Sequence, residues 1–186
     1  MTIFTVAFVL VMLPAPPAQQ RLASTAVRSY GDEHAESRAV FSSPVSLPSN
    51  VSVPGAYDDL VDTMLRSSPT FRAQCSRIAT TPGLHVSVQR SLNPAPQAAL
   101  THLIRQSDGR LEADVEIGLF GDVTMLLAHE FEHIIEQLDG VNLVALADRA
   151  GTGVRTNPRN GQFETERAIE MGQRVAREVT RAAARR

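Results

Sequence analysis

The pentapeptide His129-Glu130-Phe131-Glu132-His133 constrains this chain more than any other feature of its sequence. In an α-helix, two residues four positions apart project from the same face, about one turn from each other. The two imidazoles can then bind one metal ion, and the intervening Glu130 lies beside it, able to accept a proton. The motif therefore predicts a helix with two metal ligands and a general base, and it requires a third ligand from elsewhere.

An HExxH sequence can also arise by chance, so its context decides how it is interpreted. Asp122 fits an N-cap and Gly140 fits a C-terminal stop, which together predict a helix over residues 123–138. A stripe of large apolar residues on this helix faces the core, and His129 and His133 lie on the neighbouring face. Ligands at the edge of a core are held by packing but can be reached from a cleft, as a metal site requires.

Composition limits the chain to one modest globular domain and excludes several kinds of site. The 186 residues are 43% hydrophobic, which is enough for one core but not for two. A net charge of -2 and a pI near 6.2 give no electrostatic reason to expect a nucleic acid partner. Cys75 is the one cysteine, which excludes a disulfide within the chain and a cysteine-based zinc cluster.

The first 18 residues are predicted to be a signal peptide. The run from Ile3 to Leu13 has no charge, and it is shorter than the roughly 20 residues that a membrane-spanning helix needs. It fits the apolar region of an export signal with cleavage after Ala18, so we expect a periplasmic or secreted protein. Because no basic residue precedes the run and Pro16 lies where a small residue is usual, an uncleaved N-terminus that associates weakly with the membrane is the alternative.

Residues 19–53 are rich in Ser, Pro, Ala and charge and contain few large apolar residues. Such a segment buries too little surface to offset the entropy lost on ordering, so we interpret it as a linker or disordered arm. Residues 54–186 form the predicted folded domain, whose mixture of helical periodicity and strand-like alternation indicates the α+β class. The predicted helices lie near residues 60–65, 69–80, 123–138 and from about 162 to the end, with a short helix or turn within 141–149; the predicted strands are 84–90, 100–106 and 111–120, of which the last two form a hairpin, and 151–161 is a predicted loop.

A zinc ion needs a third protein ligand and leaves its fourth position to water. The three histidines outside the motif all precede it and do not continue its spacing. Downstream, the apolar stripe of the predicted final helix extends back to Glu164, whereas Glu166 and Glu170 share the polar face of that helix. Because a carboxylate on an inward face is costly unless paired or metal-bound, Glu164 is the expected third ligand and Glu166 the alternative. The histidines set aside are His34, His85 and His102.

Together these residues predict a zinc centre in which His129, His133 and Glu164 bind Zn2+. Glu130 then takes a proton from the bound water and passes it to the leaving amine. The chain at this point resembles the gluzincin type of zinc metallopeptidase, in which a glutamate from a second, downstream helix joins HExxH. The stretches that carry the resemblance are residues 129–133 and 163–168. It implies a zincin-like domain with a small mixed sheet, an active-site helix and a C-terminal helix, acting on a peptide or protein substrate.

The resemblance also implies that the strand before the active-site helix, residues 111–120, forms one wall of the cleft and pairs with extended peptide. Larger members of the family stabilise the oxyanion with a Tyr or a His. No spacing in this chain supports Tyr57, His85 or His102 in that role, and an arginine such as Arg155 is the alternative.

Two further features have ordinary interpretations. Asp148 is a candidate to orient a ligand histidine by a hydrogen bond, although a surface or capping role is the alternative. The arginine-rich end of the chain is expected to be a solvated helix end, with no partner assigned.

The expected function is a zinc-dependent metallopeptidase or amide hydrolase. A non-catalytic zinc-binding zincin-like envelope protein is the first alternative. The second is a metal-free protein in which HExxH is accidental. The sequence gives no indication of oligomeric state.

Overall fold

The computed structural model describes residues 46–91, 99–119, 121–156 and 161–185. The predicted signal peptide and most of the predicted arm lie outside these ranges, as does part of the predicted 151–161 loop. Over the described ranges the fold is a mixture of α-helices and a small mixed sheet. The elements are β1 (Val51–Ser52), α1 (Asp58–Ser67), α2 (Pro69–Ala79), β2 (Leu84–Arg90), β3 (Ala99–Arg105), β4 (Leu111–Ile117), α3 (Val123–Leu138), α4 (Leu143–Ala147), β5 (Val154–Thr156), β6 (Phe163–Thr165) and α5 (Glu166–Ala183).

Four strands form the main sheet, in the order β1-β2-β4-β3. β1, β2 and β4 run parallel, and β3 pairs antiparallel with β4 across a turn at Gly109, whose positive φ of 87° suits glycine. This pair is the predicted hairpin, which the structure confirms. Alternate residues of β4 are buried, so one face of the sheet contributes to the core.

The place of β4 in the sheet corrects one expectation. β4 is hydrogen-bonded to β2 on one side and to β3 on the other along its whole length. It therefore has no free edge with which to pair a peptide, and the expectation that residues 111–120 form such a cleft wall is wrong. Of the described strands, β3 and β1 lie at the two edges.

The two best-marked helices begin where their capping residues predict. The Asp122 side chain accepts hydrogen bonds from the backbone N–H groups of Thr124 (2.9 Å) and Met125 (3.3 Å), and α3 ends at Leu138 before Gly140. α2 begins at Pro69, and the side chain of the preceding residue, Ser68, caps it. The predicted helix over 123–138 is confirmed residue for residue.

The core lies between the sheet and a layer of packed helices. α3 and α5 share the most extensive contact between helices, and α1 and α2 pack against both. Phe71 of α2 and Phe131 of α3, both fully buried, stack with their ring centroids 5.6 Å apart. α3 is thus packed against three other helices, and this packing holds the face that carries His129 and His133 in position.

The chain differs from the sequence-based prediction just before α5. The final helix begins at Glu166 rather than near residue 162, because residues 163–165 form the strand β6. β6 pairs with β5, which lies within the segment that was predicted to be a loop. Thr165 ends the strand and caps the helix by accepting a hydrogen bond from the backbone N–H of Ala168. Val51 and Ser52, at the end of the predicted arm, belong to the main sheet.

None of the helices that the structure describes combines the length and the apolar character needed to cross a bilayer. Residues 3–13, which carry the predicted export signal, lie outside the described ranges, so export stays a prediction.

Candidate metal centre

α3 presents His129 and His133 side by side, as their four-residue spacing requires. Their Nε2 atoms are 3.1 Å apart, and the rings meet edge to face at 83° with centroids 4.7 Å apart. Both side chains are largely buried, with 14% and 12% of their surface exposed. Two imidazole nitrogens therefore converge on one point at the margin of the core.

Glu164 joins the two histidines. Its Oε1 lies 3.2 Å from Nε2 of His129 and 3.7 Å from Nε2 of His133. Two ligands that bind one tetrahedral ion through bonds of about 2.1 Å lie about 3.4 Å apart. The three separations fit that requirement, and these residues form a group that could hold a metal ion.

Glu164 reaches the histidines from a different element than the sequence suggested. It was expected on the inward face of the final helix, but it lies in β6, one residue before the cap of α5. The alternative, Glu166, is exposed and forms an ion pair with Arg155 at 3.3 Å, and Glu170 is exposed as well. The structure brings Glu164, and neither of the other two, to the histidines.

The Glu130 side chain is buried, with 4% of the residue exposed, and it lies next to the metal-binding group. Its Oε2 accepts a 2.6 Å hydrogen bond from the hydroxyl of Thr101 in β3, while its Oε1 is 4.0 Å from Nε2 of His129. Burial raises the pKa of the Glu130 carboxyl, and the Thr101 hydroxyl and the two histidines offset part of that rise. One carboxylate oxygen is thus held by Thr101 and the other lies on the side of the histidines.

Charge in the group favours a cation. Burial of His133 opposes its protonation, but hydrogen bonds to Glu136 and Glu164 outweigh burial and raise its pKa to about 9. Burial also works against ionisation of Glu164, yet the two histidines lower its pKa to about 2. The surrounding carboxylates therefore stabilise positive charge where the three ligand atoms meet.

Glu136 is a residue of the site that the sequence analysis missed. Nδ1 of His133 donates a 3.0 Å hydrogen bond to Oε2 of Glu136, whose other oxygen accepts from the Thr165 hydroxyl at 2.8 Å. Glu136 follows His133 by three residues on the same helix, a spacing that could have identified it. Asp148, the sequence candidate for this role, is exposed and lies at the end of α4.

The sequence offered four candidates for oxyanion stabilisation, and the structure shows no hydrogen bond or ion pair between any of them and His129 or His133. Tyr57 is buried in the hydrophobic core. His85 and His102 are exposed, on the sheet face opposite to the side chain of Thr101. Arg155 is the direct partner of Glu164 in the β5–β6 pair, so these two side chains leave the hairpin on the same face. The remaining histidine, His34, lies outside the described residues.

Comparison of the chain with protein-family models, with curated proteins and with solved structures found no match. His129, His133 and Glu164 are close enough to bind one metal ion, and their sequence has the HExxH spacing.

Proposed function

We propose that this chain is a zinc-dependent metallopeptidase or amide hydrolase of the zincin-like kind. The observation that carries the proposal is the convergence of two histidine Nε2 atoms and one Glu164 oxygen beside a buried glutamate, Glu130. Zinc is the metal that suits two imidazoles and a carboxylate, and three protein ligands are the number that catalytic zinc sites use.

Glu130 acts as the general base in this proposal. A bound zinc ion would supply Lewis acidity, polarising the substrate carbonyl and acidifying water. The Thr101 hydroxyl holds Oε2 of Glu130, which leaves Oε1 to take a proton from water and deliver it to the leaving amine. The raised pKa of Glu130 suits a group that both accepts and returns a proton.

An extended peptide is the proposed substrate, and β3 is the strand that would bind it. β3 is an edge strand among the described residues, and its Thr101 contacts Glu130 directly. Backbone groups on a free strand edge can pair with an added peptide strand. A peptide on β3 would therefore run past the proposed base, in the role that the sequence analysis gave to residues 111–120.

The test compares metal content and hydrolysis in the full chain and in Glu130→Gln. Wild-type protein should contain about one zinc per chain and cleave casein or a fluorogenic peptide library. Glu130→Gln should keep the zinc, because Glu130 is not among the proposed ligands, and should lose at least about 100-fold in rate, the usual contribution of a general base. Glu170→Gln, which changes an exposed glutamate on α5, is the control and should match wild type.

The outcomes separate the proposal from its alternatives. Stoichiometric zinc without Glu130-dependent hydrolysis of any substrate would support a non-catalytic zinc-binding envelope protein instead. Protein that binds no zinc would support a metal-free role and remove the basis of the proposal.

A further inference from the structure

We infer that Glu136 is a positioning residue that joins the two halves of the metal-binding group. The inference rests on the proposed zinc binding and adds a role that no ligand performs. One half of the group is the histidine pair of α3, and the other is Glu164 of β6. One carboxylate oxygen of Glu136 contacts His133, and the other contacts Thr165, the residue that follows Glu164 in the chain.

The first contact fixes the tautomer of His133. Oε2 of Glu136 accepts from Nδ1 of His133 at 3.0 Å, and Glu136 is only 3% exposed. A carboxylate can only accept, so the proton of a neutral imidazole stays on Nδ1 and Nε2 keeps its lone pair. Nε2 is the atom that faces His129 and Glu164, so in the neutral imidazole Glu136 directs the free lone pair toward the other two residues of the metal-binding group.

The second contact fixes the position of Glu164. Oε1 of Glu136 accepts a 2.8 Å hydrogen bond from the Thr165 hydroxyl, which itself accepts from the backbone N–H of Ala168 at 3.0 Å. Thr165 is buried, caps α5 and directly follows Glu164 in the chain. The backbone that carries Glu164 is thereby tied to the carboxylate that holds His133.

Glu132 provides a matched control one turn earlier on the same helix. It is also buried and also links α3 to the start of α5, through a 2.6 Å ion pair with Arg167; a hydrogen bond from Gln74 joins it to α2 as well. These partners are not members of the metal-binding group. Glu132→Gln should therefore cost stability by the same mechanism as Glu136→Gln without disturbing the ligands.

The experiment measures Zn2+ affinity of full-chain variants by competition with a chromophoric chelator, with thermal stability recorded separately. Glu136→Gln should weaken zinc binding by about 10- to 100-fold, the usual effect of losing a partner of a ligand histidine. Glu132→Gln should stay within about threefold of wild type despite a comparable loss of stability. Equal changes in affinity for the two variants would overturn the inference.

Thr165 tests the joining of the two halves. Thr165→Ala should also weaken zinc binding, and Thr165→Ser, which keeps the hydroxyl, should restore it. Because both residues act through one hydrogen bond, the Glu136→Gln/Thr165→Ala double variant should bind less weakly than the two single losses together predict. Wild-type affinity in Thr165→Ala would reduce Glu136 to a partner of His133 alone and overturn the joining role.

A spectroscopic measurement separates this inference from the proposed function. In metal-free protein at a pH above the pKa of about 9 of His133, where its imidazole is neutral, the side-chain 15N shifts should report a proton on Nδ1 and none on Nε2, and Glu136→Gln should give a mixture of the two neutral tautomers. Glu132→Gln should leave the shifts unchanged. If wild type bound no zinc, the proposed function would fail and the joining role with it; unchanged shifts in Glu136→Gln would overturn only the hold on His133.

Discussion

At the residue scale, the structure brings the expected residue, Glu164, to the two histidines, but from a different element than the sequence suggested. HExxH requires one more ligand, and because no histidine or cysteine follows the motif, residue type limited the downstream choice to carboxylates, of which three glutamates near the start of the predicted final helix were considered. Helical phase then favoured Glu164, yet this residue lies in a strand. The pairing of β5 with β6 brings Glu164 to His129. Strands of three residues are too short to show the alternation of apolar and polar residues by which a strand is predicted.

The two neighbouring glutamates give a direct prediction. Glu164→Gln should weaken zinc binding by more than about 100-fold, beyond the range seen for partners outside the ligand set. Glu166→Gln should stay within about threefold, because it removes only an exposed ion pair with Arg155, worth about 1 kcal/mol or less. Chelator competition on both variants measures the difference, and the reverse order of effects would assign the ligand to Glu166.

At the element scale, the metal-binding group depends on how closely α3 and α5 approach. Gly172 of α5 lies against α3, where a Cβ atom would be 2.7 Å from the Met125 carbonyl oxygen and 3.1 Å from Cβ of His129. The first distance is too short for any side chain, and the atom it meets belongs to backbone. The absence of a side chain at Gly172 is thus what lets α5 pack beside His129.

Gly172→Ala should therefore destabilise the protein although alanine favours helices. The gain in helix propensity is about 1 kcal/mol, whereas forcing apart two packed helices costs about 1–3 kcal/mol. We expect lower thermal stability together with weaker zinc binding, because His129 must move. Gly55→Ala is the control, since the nearest atom to its added Cβ is 3.6 Å away. A stabilised Gly172→Ala protein with unchanged zinc affinity would contradict the prediction.

Local signals predicted the helices well and the pairing of strands less well. The capping residues Ser68 and Asp122 directly precede the helices that they cap, so the starts of α2 and α3 could be predicted from the sequence. The order of strands in a sheet depends on contacts between distant segments, which a local pattern does not predict. β4 therefore lies inside the sheet, where an edge strand was expected. The spacing of Glu136 from His133 is local and visible in the sequence, whereas its contact with Thr165, 29 residues away, could not be predicted from a local pattern.

At the scale of the whole molecule, a bound metal would join segments that are far apart in the chain. His133 and Glu164 belong to α3 and β6, and the helices around them form one packed layer with the core. A ligand that binds only the folded state stabilises all of that layer at once. Cys75 in α2, buried against this core with its pKa raised by burial to about 12, can report the effect.

Modification of Cys75 by a thiol reagent should need opening of the fold, because the residue is 3% exposed. Zinc at about 100 times its Kd stabilises the native state by about 2.7 kcal/mol, which lowers the open fraction about 100-fold. We therefore expect labelling to slow by about that factor with zinc and to recover with a chelator. His129→Ala is the control and should label at one rate with or without zinc. Equal rates for wild type in the two conditions would show that metal binding and folding are not coupled.

Three buried carboxylates on one helix have a consequence for how α3 is aligned in the molecule. Glu130, Glu132 and Glu136 are each less than 5% exposed, and their partners come from β3, from α2 and α5, and from the cap of α5. Sliding α3 by one turn, or rotating it by a fraction of one, would separate these carboxylates from their partners on other elements, at a cost of several kcal/mol for each buried charge left unpaired. A purely apolar helix could repack in several alignments, whereas these buried partners favour one alignment of α3. The orientation of His129 and His133 therefore depends on three carboxylates that are not themselves members of the metal-binding group.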